Sequence, residues 1–450
     1  MTSESSGVEQ MFSEVSVYQA YLDVEVALAN AQAKQGVIPE DAARTIQQFA
    51  NIELLDMDAI HEGFKISGHP LVPIIWELDR VCGPEAGGYI HWGATTQNII
   101  QTGKLLVVKR WHNTLLIHLA DLLDALADLA EKSKDYVIPG RTHGQHAVPA
   151  TFGYKVATWI DEMLRHVERL QTSEGRVFAA MFGGGAGNLA SVGMEGLETQ
   201  RLMGAELGMT SMPLPSRTTM DHLTEYVMTL ALLSATCSRM AQEVFQLMKQ
   251  EYGEVEEPWA AGAVGSSTMP QKRNPRLCNG IISWGAELRG FVSLALESML
   301  QEHEAAAAGY DMMQSAMEST CLLTSKIMGN MLPLFKGINL FPERMRENLD
   351  LSGGLIMSER IMLALGNAMG RQKAHDAVYD AAQRSVNENR SFKETLAEEK
   401  EVAERLTESE IVELLDPEQY TGLSAYFAET FAVSARETAL RVRRTSKDLA

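Results

Sequence analysis

Between Pro215 and Gly253 the chain has neither proline nor glycine, and within that interval Leu223, Val227, Leu230, Leu233, Cys237, Met240, Val244 and Leu247 recur at steps of three and four. That is the spacing of one face of an α-helix. About 37 residues at ~1.5 Å each predict a rod of roughly 55 Å. An apolar stripe that long must be covered by parallel neighbours, so this one segment demands a helical bundle.

Two further segments supply neighbours. Leu115, Leu119, Leu122, Leu126 and Leu129 step by four and three, and Leu116, Leu123 and Ala130 widen their stripe to that of a helix buried on two sides. Residues 279–332 hold no proline and are rich in Ala, Leu and Met, which predicts a third long helical region. Alternation of β-branched residues with period two is scarce. The expected fold class is all-α: an N-terminal helical domain over 1–108, a central long-helix bundle over 109–342 and a C-terminal helical domain over 343–450. Stripes this wide exceed what one chain can cover, so a homo-oligomeric bundle is expected. The Leu and Met are read as core rather than as a cofactor site.

Composition narrows the function. The chain has 450 residues, 45% hydrophobic and 22% charged, the usage of an ordinary globular protein rather than a disordered one. Lys and Arg number 39 against 59 Asp and Glu, a net charge of −20 that would repel a phosphate backbone, so nucleic acid is not expected as a partner. An anionic small substrate would need a locally basic pocket. Cys82, Cys237, Cys278 and Cys321 lie far apart with no CxxC pair, which argues against a disulfide framework or a zinc site and favours reduced thiols in the cytoplasm. Neither a signal peptide nor an apolar run of ~18 residues is visible, so no membrane span is expected.

Chemistry is expected where the helical pattern breaks. Gly265-Ser266-Ser267-Thr268-Met269-Pro270-Gln271-Lys272-Arg273-Asn274-Pro275 packs two serines, two cations, two amides and two prolines into eleven residues. Prolines on either side of QKRN disfavour helix and leave consecutive N–H groups free to face an anion, with Lys272 adding charge and Asn274 a donor. Gly183-Gly184-Gly185-Ala186-Gly187 lacks the GxGxxG spacing and the preceding strand of a phosphate loop, and is read as a bend that permits close approach.

The sequence GSSTMPQKRNP resembles the GSSxMPxKxNP signature of the fumarase/aspartase superfamily. His91-Trp92-Gly93-Ala94-Thr95-Thr96-Gln97-Asn98 resembles its first conserved block and Gly140-Arg141-Thr142-His143-Gly144-Gln145-His146-Ala147 its second, while Met11 through Pro39 resembles the N-terminal helix of the cycloisomerase-like branch. The resemblance spans nearly the whole chain. It implies a three-domain α protein that forms a homotetramer through a bundle of long helices, with each active site shared between three subunits and no metal or organic cofactor. It also implies a small di- or tricarboxylate substrate and an anti-β-elimination.

By position, the resemblance makes Ser266 the general base, with Ser267 as the alternative, and His143 the proton donor to the leaving group, with His146 second. Thr95, Thr96 and Gln97, with Thr142 and Gln145, become donors to substrate carboxylates. Met269, Lys272 and Asn274 are the serine loop's contribution to binding, and His69 in Gly-His-Pro matches another histidine position. Asn98 and Gln101 stand where many relatives carry Asp. Within the superfamily, the overall texture is most like 3-carboxy-cis,cis-muconate cycloisomerase, yet RTHGQH stands where those enzymes read RTWLQH and is closer to carbon–nitrogen lyases. The Arg-poor runs Glu302-His303-Glu304-Ala305-Ala306-Ala307 and Thr219-Met220-Asp221-His222 leave a nucleotide phosphate unpaired, so a nucleotide substrate is not expected. The preferred reading is a lyase that releases fumarate and an amine from an N-succinyl or amino-dicarboxylate compound. The alternatives are the lactonising cycloisomerase and a non-catalytic, crystallin-like structural relative.

Overall fold

A computed structural model of the chain describes residues 3–259, 262 and 265–447. Helices carry the fold. After the N-terminal helix α1 (Glu14–Lys34) come the five bundle helices: α2 (Thr96–Lys132), α3 (Phe152–Val177), α4 (Asp221–Leu247), α5 (Arg276–Glu297) and α6 (Ala307–Gly337). The last long helix, α7 (Ser424–Lys447), returns along α2 and α3. The strands are short: an antiparallel hairpin of β1 (Val137–Thr142) and β2 (Gln145–Thr151), a parallel pairing of β3 (Ala179–Ala180) with β4 (Thr210–Ser211), and an antiparallel pairing of β5 (Val255–Glu256) with β6 (Asn339–Leu340).

The longest rod is α2, with 37 residues, or roughly 55 Å. It runs unbroken across 108/109. The segment 215–253, expected as a rod of about 37 residues, yields the 27 residues of α4, which begins only at Asp221 after bends at 213–214 and 217–218, while residues 248–253 close in turns ending at Gly253 (φ +61°). The region 279–332, expected as a third long helical region, is two helices. It breaks over 298–306, where the Ser298 hydroxyl donates to the Ala295 carbonyl at 2.6 Å and His303 takes φ +52°. Gly309 lets the returning helix close on that turn, since a Cβ there would meet the Ser298 carbonyl. Past Leu332, α6 continues through Pro333.

The helices alternate in direction. The Asn98 side chain accepts from Gly183 and Gly184 N–H, joining the start of α2 to the segment after α3. The Thr224 hydroxyl donates to the Ala295 carbonyl at 3.0 Å, joining the start of α4 to the end of α5. The β5–β6 pairing ties the exit of α4 to the exit of α6. Trp111, Trp159, Tyr226, Phe152 and Phe182 are fully buried in this core. Each fully buried side chain of Leu or Phe size contributes roughly 1.5–3 kcal/mol relative to exposure. A separate apolar cluster, including Ile361, Leu365, Phe392, Leu396 and Ile411, supports the C-terminal helices. The bundle thus has two ends, one at the start of α2 and one at the β1–β2 hairpin. The polar blocks are distributed between them.

Candidate active site

At the hairpin end, β1 and β2 close through His143 (φ +53°) and Gly144 (φ +76°), with Thr142 paired to Gln145 across the turn. Positive φ at both central residues is the geometry of a two-residue hairpin turn whose twist matches its strands. It holds the His143 imidazole exposed at the tip, flanked by the exposed Thr142 and Gln145. Gly140 permits the bulge below it, since a Cβ would press on the Val148 carbonyl. The hairpin is anchored by Arg141, which pairs in two-pronged fashion with the fully buried Glu254 carboxylate and lies over the Tyr252 ring. Asn348 donates to the same carboxylate at 2.7 Å. His146 turns inward, with Nδ1 buried and unpartnered among the described residues; burial, and then the Arg141 charge, hold its pKa below the ordinary value.

The serine loop hangs from the same stretch of chain. Glu257 accepts from Leu277 and Cys278 N–H at the start of α5, and Glu256 pairs with Arg273 at 2.7 Å. Arg273 also lies over Trp259. Within the loop, Ser266 Oγ accepts two backbone hydrogen bonds, from Met269 N–H at 3.1 Å and Thr268 N–H at 3.3 Å. Asn274 donates to the Gly265 carbonyl at 2.7 Å and so clasps the two ends of the loop. Lys272 is exposed and has no acidic partner among the described residues, whereas its neighbour Arg273 is occupied. Ser267 is exposed, and no hydrogen bond holds its hydroxyl among the described residues.

The other candidates stand at the opposite end, at the start of α2. Gln97 is buried and donates to the Arg217 carbonyl at 2.8 Å, while Arg217 Nε donates back to Gln97 Oε1 at 3.0 Å. Thr95 and Thr96 are partly exposed beside it. Asn98, fully buried, accepts from Thr95, Gly183 and Gly184 N–H, and Gln101 is also buried. Asn98 thus holds the block to the glycine loop, and Gln101 Oε1 accepts from Gln97 Nε2 at 3.2 Å. The glycine loop is the close-approach bend expected of it: a Cβ at Gly183 or Gly187 would collide with the Pro215 carbonyl.

His91 ends this cluster in a left-handed conformation (φ +62°), its Nδ1 2.7 Å from the Glu25 carboxylate of α1, which also accepts its backbone N–H. Burial opposes charge on the ring, but Glu25 outweighs burial and raises the His91 pKa. His69 is a neighbour, its pKa lowered by burial and then by the His91 charge. Its Nδ1 accepts from Leu71 N–H at 3.3 Å. Sequence reasoning missed Glu25 and Arg217. A glutamate on an apolar helix face and a lone arginine beyond two prolines carry no spacing signal, and only the folded contacts pick them out.

One chain therefore gathers His69, Thr95, Thr96 and Gln97 at one end and Thr142, His143, Gln145, Ser266, Met269, Lys272 and Asn274 at the other. The length of α2 separates the groups by roughly 40–55 Å.

Comparison with known proteins gives the family. A family profile described as "Lyase" matches residues 1–290, and one described as "Adenylosuccinate lyase C-terminus" matches residues 354–431. The chain belongs to the fumarase/aspartase superfamily of lyases. It is 36% identical to N-acetyl-S-(2-succino)cysteine lyase of Dickeya dadantii, over 92% of this chain and 90% of that one. It is 34% identical to 3-carboxy-cis,cis-muconate cycloisomerase of Pseudomonas aeruginosa, over 93% of this chain and 92% of that one. The crystal structure of a fumarate lyase from a Mesorhizobium species superposes with a TM-score of 0.89 at 34% identity, covering 95% of this chain and 97% of the other. The chain is thus an enzyme with the superfamily's helical fold.

Proposed function

We propose that the protein is a succinyl-adduct lyase, which eliminates a heteroatom leaving group from a small amino compound carrying a succinyl group and releases fumarate. The observation that carries this reading is the seat of Ser266: an Oγ accepting two backbone N–H bonds is a hydroxyl whose alkoxide would be stabilised. In the proposed reaction, Ser266 Oγ takes the proton from the carbon next to a carboxylate. The electron pair moves into that carboxylate, and Lys272 with the loop donors stabilises the charge that develops there. The bond from the β-carbon to nitrogen or sulfur then breaks, and His143 delivers a proton to the departing atom. Thr95, Thr96, Gln97, Thr142 and Gln145 hold the carboxylates.

Because these groups lie at opposite ends of one chain, the working site is shared between copies in a homotetramer. Apolar side chains left exposed along the bundle, among them Met228, Leu232, Leu296 and Leu300, supply the surfaces for it. The similarity to the succinocysteine lyase supports a succinyl substrate and extends the leaving group from an amine to a thiol.

A lactonising cycloisomerase is the second reading, favoured by the similarity to the Pseudomonas aeruginosa enzyme. Ultraviolet absorbance separates the two. Fumarate should appear when the protein meets N-succinyl and S-succinyl amino compounds; turnover of 3-carboxy-cis,cis-muconate alone would overturn the lyase.

A further inference from the structure

Arg217 is fixed from several sides without an anion. Its Nε donates to Gln97 Oε1 at 3.0 Å, its Nη1 donates to the Gly185 carbonyl, and its own carbonyl accepts from Gln97 Nε2 at 2.8 Å. Gly183 and Gly184 of that loop are in turn held by Asn98. Although the chain carries 59 acidic residues, no carboxylate among the described residues pairs with this guanidinium. Burial lowers its pKa and nothing acidic offsets the loss. The Nη2 donors point to no partner among the described residues. Partial desolvation of a cation costs free energy unless an anion compensates. A guanidinium aligned in advance, with a free edge, suits two-pronged recognition of a carboxylate.

The succinyl half of the substrate has two carboxylates, and on the reading above these are met by the Thr95–Gln97 block and by Lys272 with the serine loop. Arg217 is a further cation beside the first of these, joined to it through Gln97. We infer that Arg217 reads a third carboxylate, carried by the leaving group, and so selects succinyl adducts of amino acids over adducts of neutral amines or thiols. This inference rests on the lyase reading. The competing role is a staple that only secures the glycine loop against α2.

The test compares two substrates on the full-length protein, N-acetyl-S-(2-succino)cysteine and its cysteine carboxamide, with fumarate release as the readout. The wild type should prefer the acid by ~10–100-fold in kcat/KM, the range of one hydrogen-bonded charge contact. In Arg217→Gln this preference should collapse to within about threefold, chiefly through KM, and Arg217→Lys should recover part of it. A preference that survives Arg217→Gln, or equal losses on both substrates, overturns the assignment in favour of the staple. A wild type silent on both compounds overturns the lyase reading instead. Arg217 is then judged by calorimetry with N-acetylcysteine and N-acetylcysteinamide: tighter binding of the acid, lost in Arg217→Gln, supports it, and equal affinity of the wild type for the two, including none, overturns it.

Discussion

A serine hydroxyl is a poor base in water, and the two N–H groups of Thr268 and Met269 directed at Ser266 Oγ are what make a proton-abstracting role chemically reasonable. Ser266→Ala removes the proton acceptor but leaves the loop's clasp through Asn274 and Gly265 in place. Turnover should fall by roughly 10²–10⁴-fold, with circular dichroism unchanged. Near-normal turnover would move the base to another group. Single residues also set a pH dependence of stability. Glu25 raises the His91 pKa above its ordinary value of 6.5, so the pair's contribution is fully present below the unfolded value and is lost as pH rises through the folded one. His91→Asn removes the imidazole with a residue that tolerates positive φ. The gap in Tm between wild type and this variant should be wider at about pH 5.5 than at about pH 9. Equal gaps would contradict the account.

Among the elements, the serine loop depends on how closely its ends approach. A Cβ at Gly265 would collide with the Lys272 carbonyl and press on Trp259, so Gly265→Ala must displace the segment that seats Ser266. The bundle does not use this contact. The variant should keep its helical content and lose about 10²-fold or more in kcat, the scale seen when catalytic groups shift by about an ångström. Retained kcat would show that the loop's position is not set there.

This is also the scale at which the sequence was most and least informative. The apolar periodicity of 115–130 and 223–247 was enough to recognise α2 and α4, because burial on one face imposes the repeat. The break at 298–306 was hidden, since it contains neither proline nor glycine and is formed by the Ser298 side chain and a left-handed His303. The β1–β2 hairpin was likewise unseen, its strands being short and carrying prolines and glycine in place of alternation. The serine loop and the histidine block stood out because packing does not select such mixtures of residues. Arg217 could not stand out, because its meaning lies in a contact with Gln97, 120 positions away.

For the molecule as a whole, the decisive fact is the length of α2. The Thr95–Gln97 block at its start and the His143 and Ser266 elements beyond its far end lie at opposite ends of one copy, so the proposed reaction requires that they come from different copies. The measurement that tests this directly mixes two inactive variants, Thr96→Ala and Ser266→Ala, after dissociation and reassembly, and follows fumarate release from a succinyl adduct. Each variant alone should be nearly inert, and the mixture should regain a measurable share of wild-type activity, since some sites then draw an intact block from each kind of copy. A mixture as inert as its parents, with mixed oligomers demonstrated by mass, would contradict the shared site.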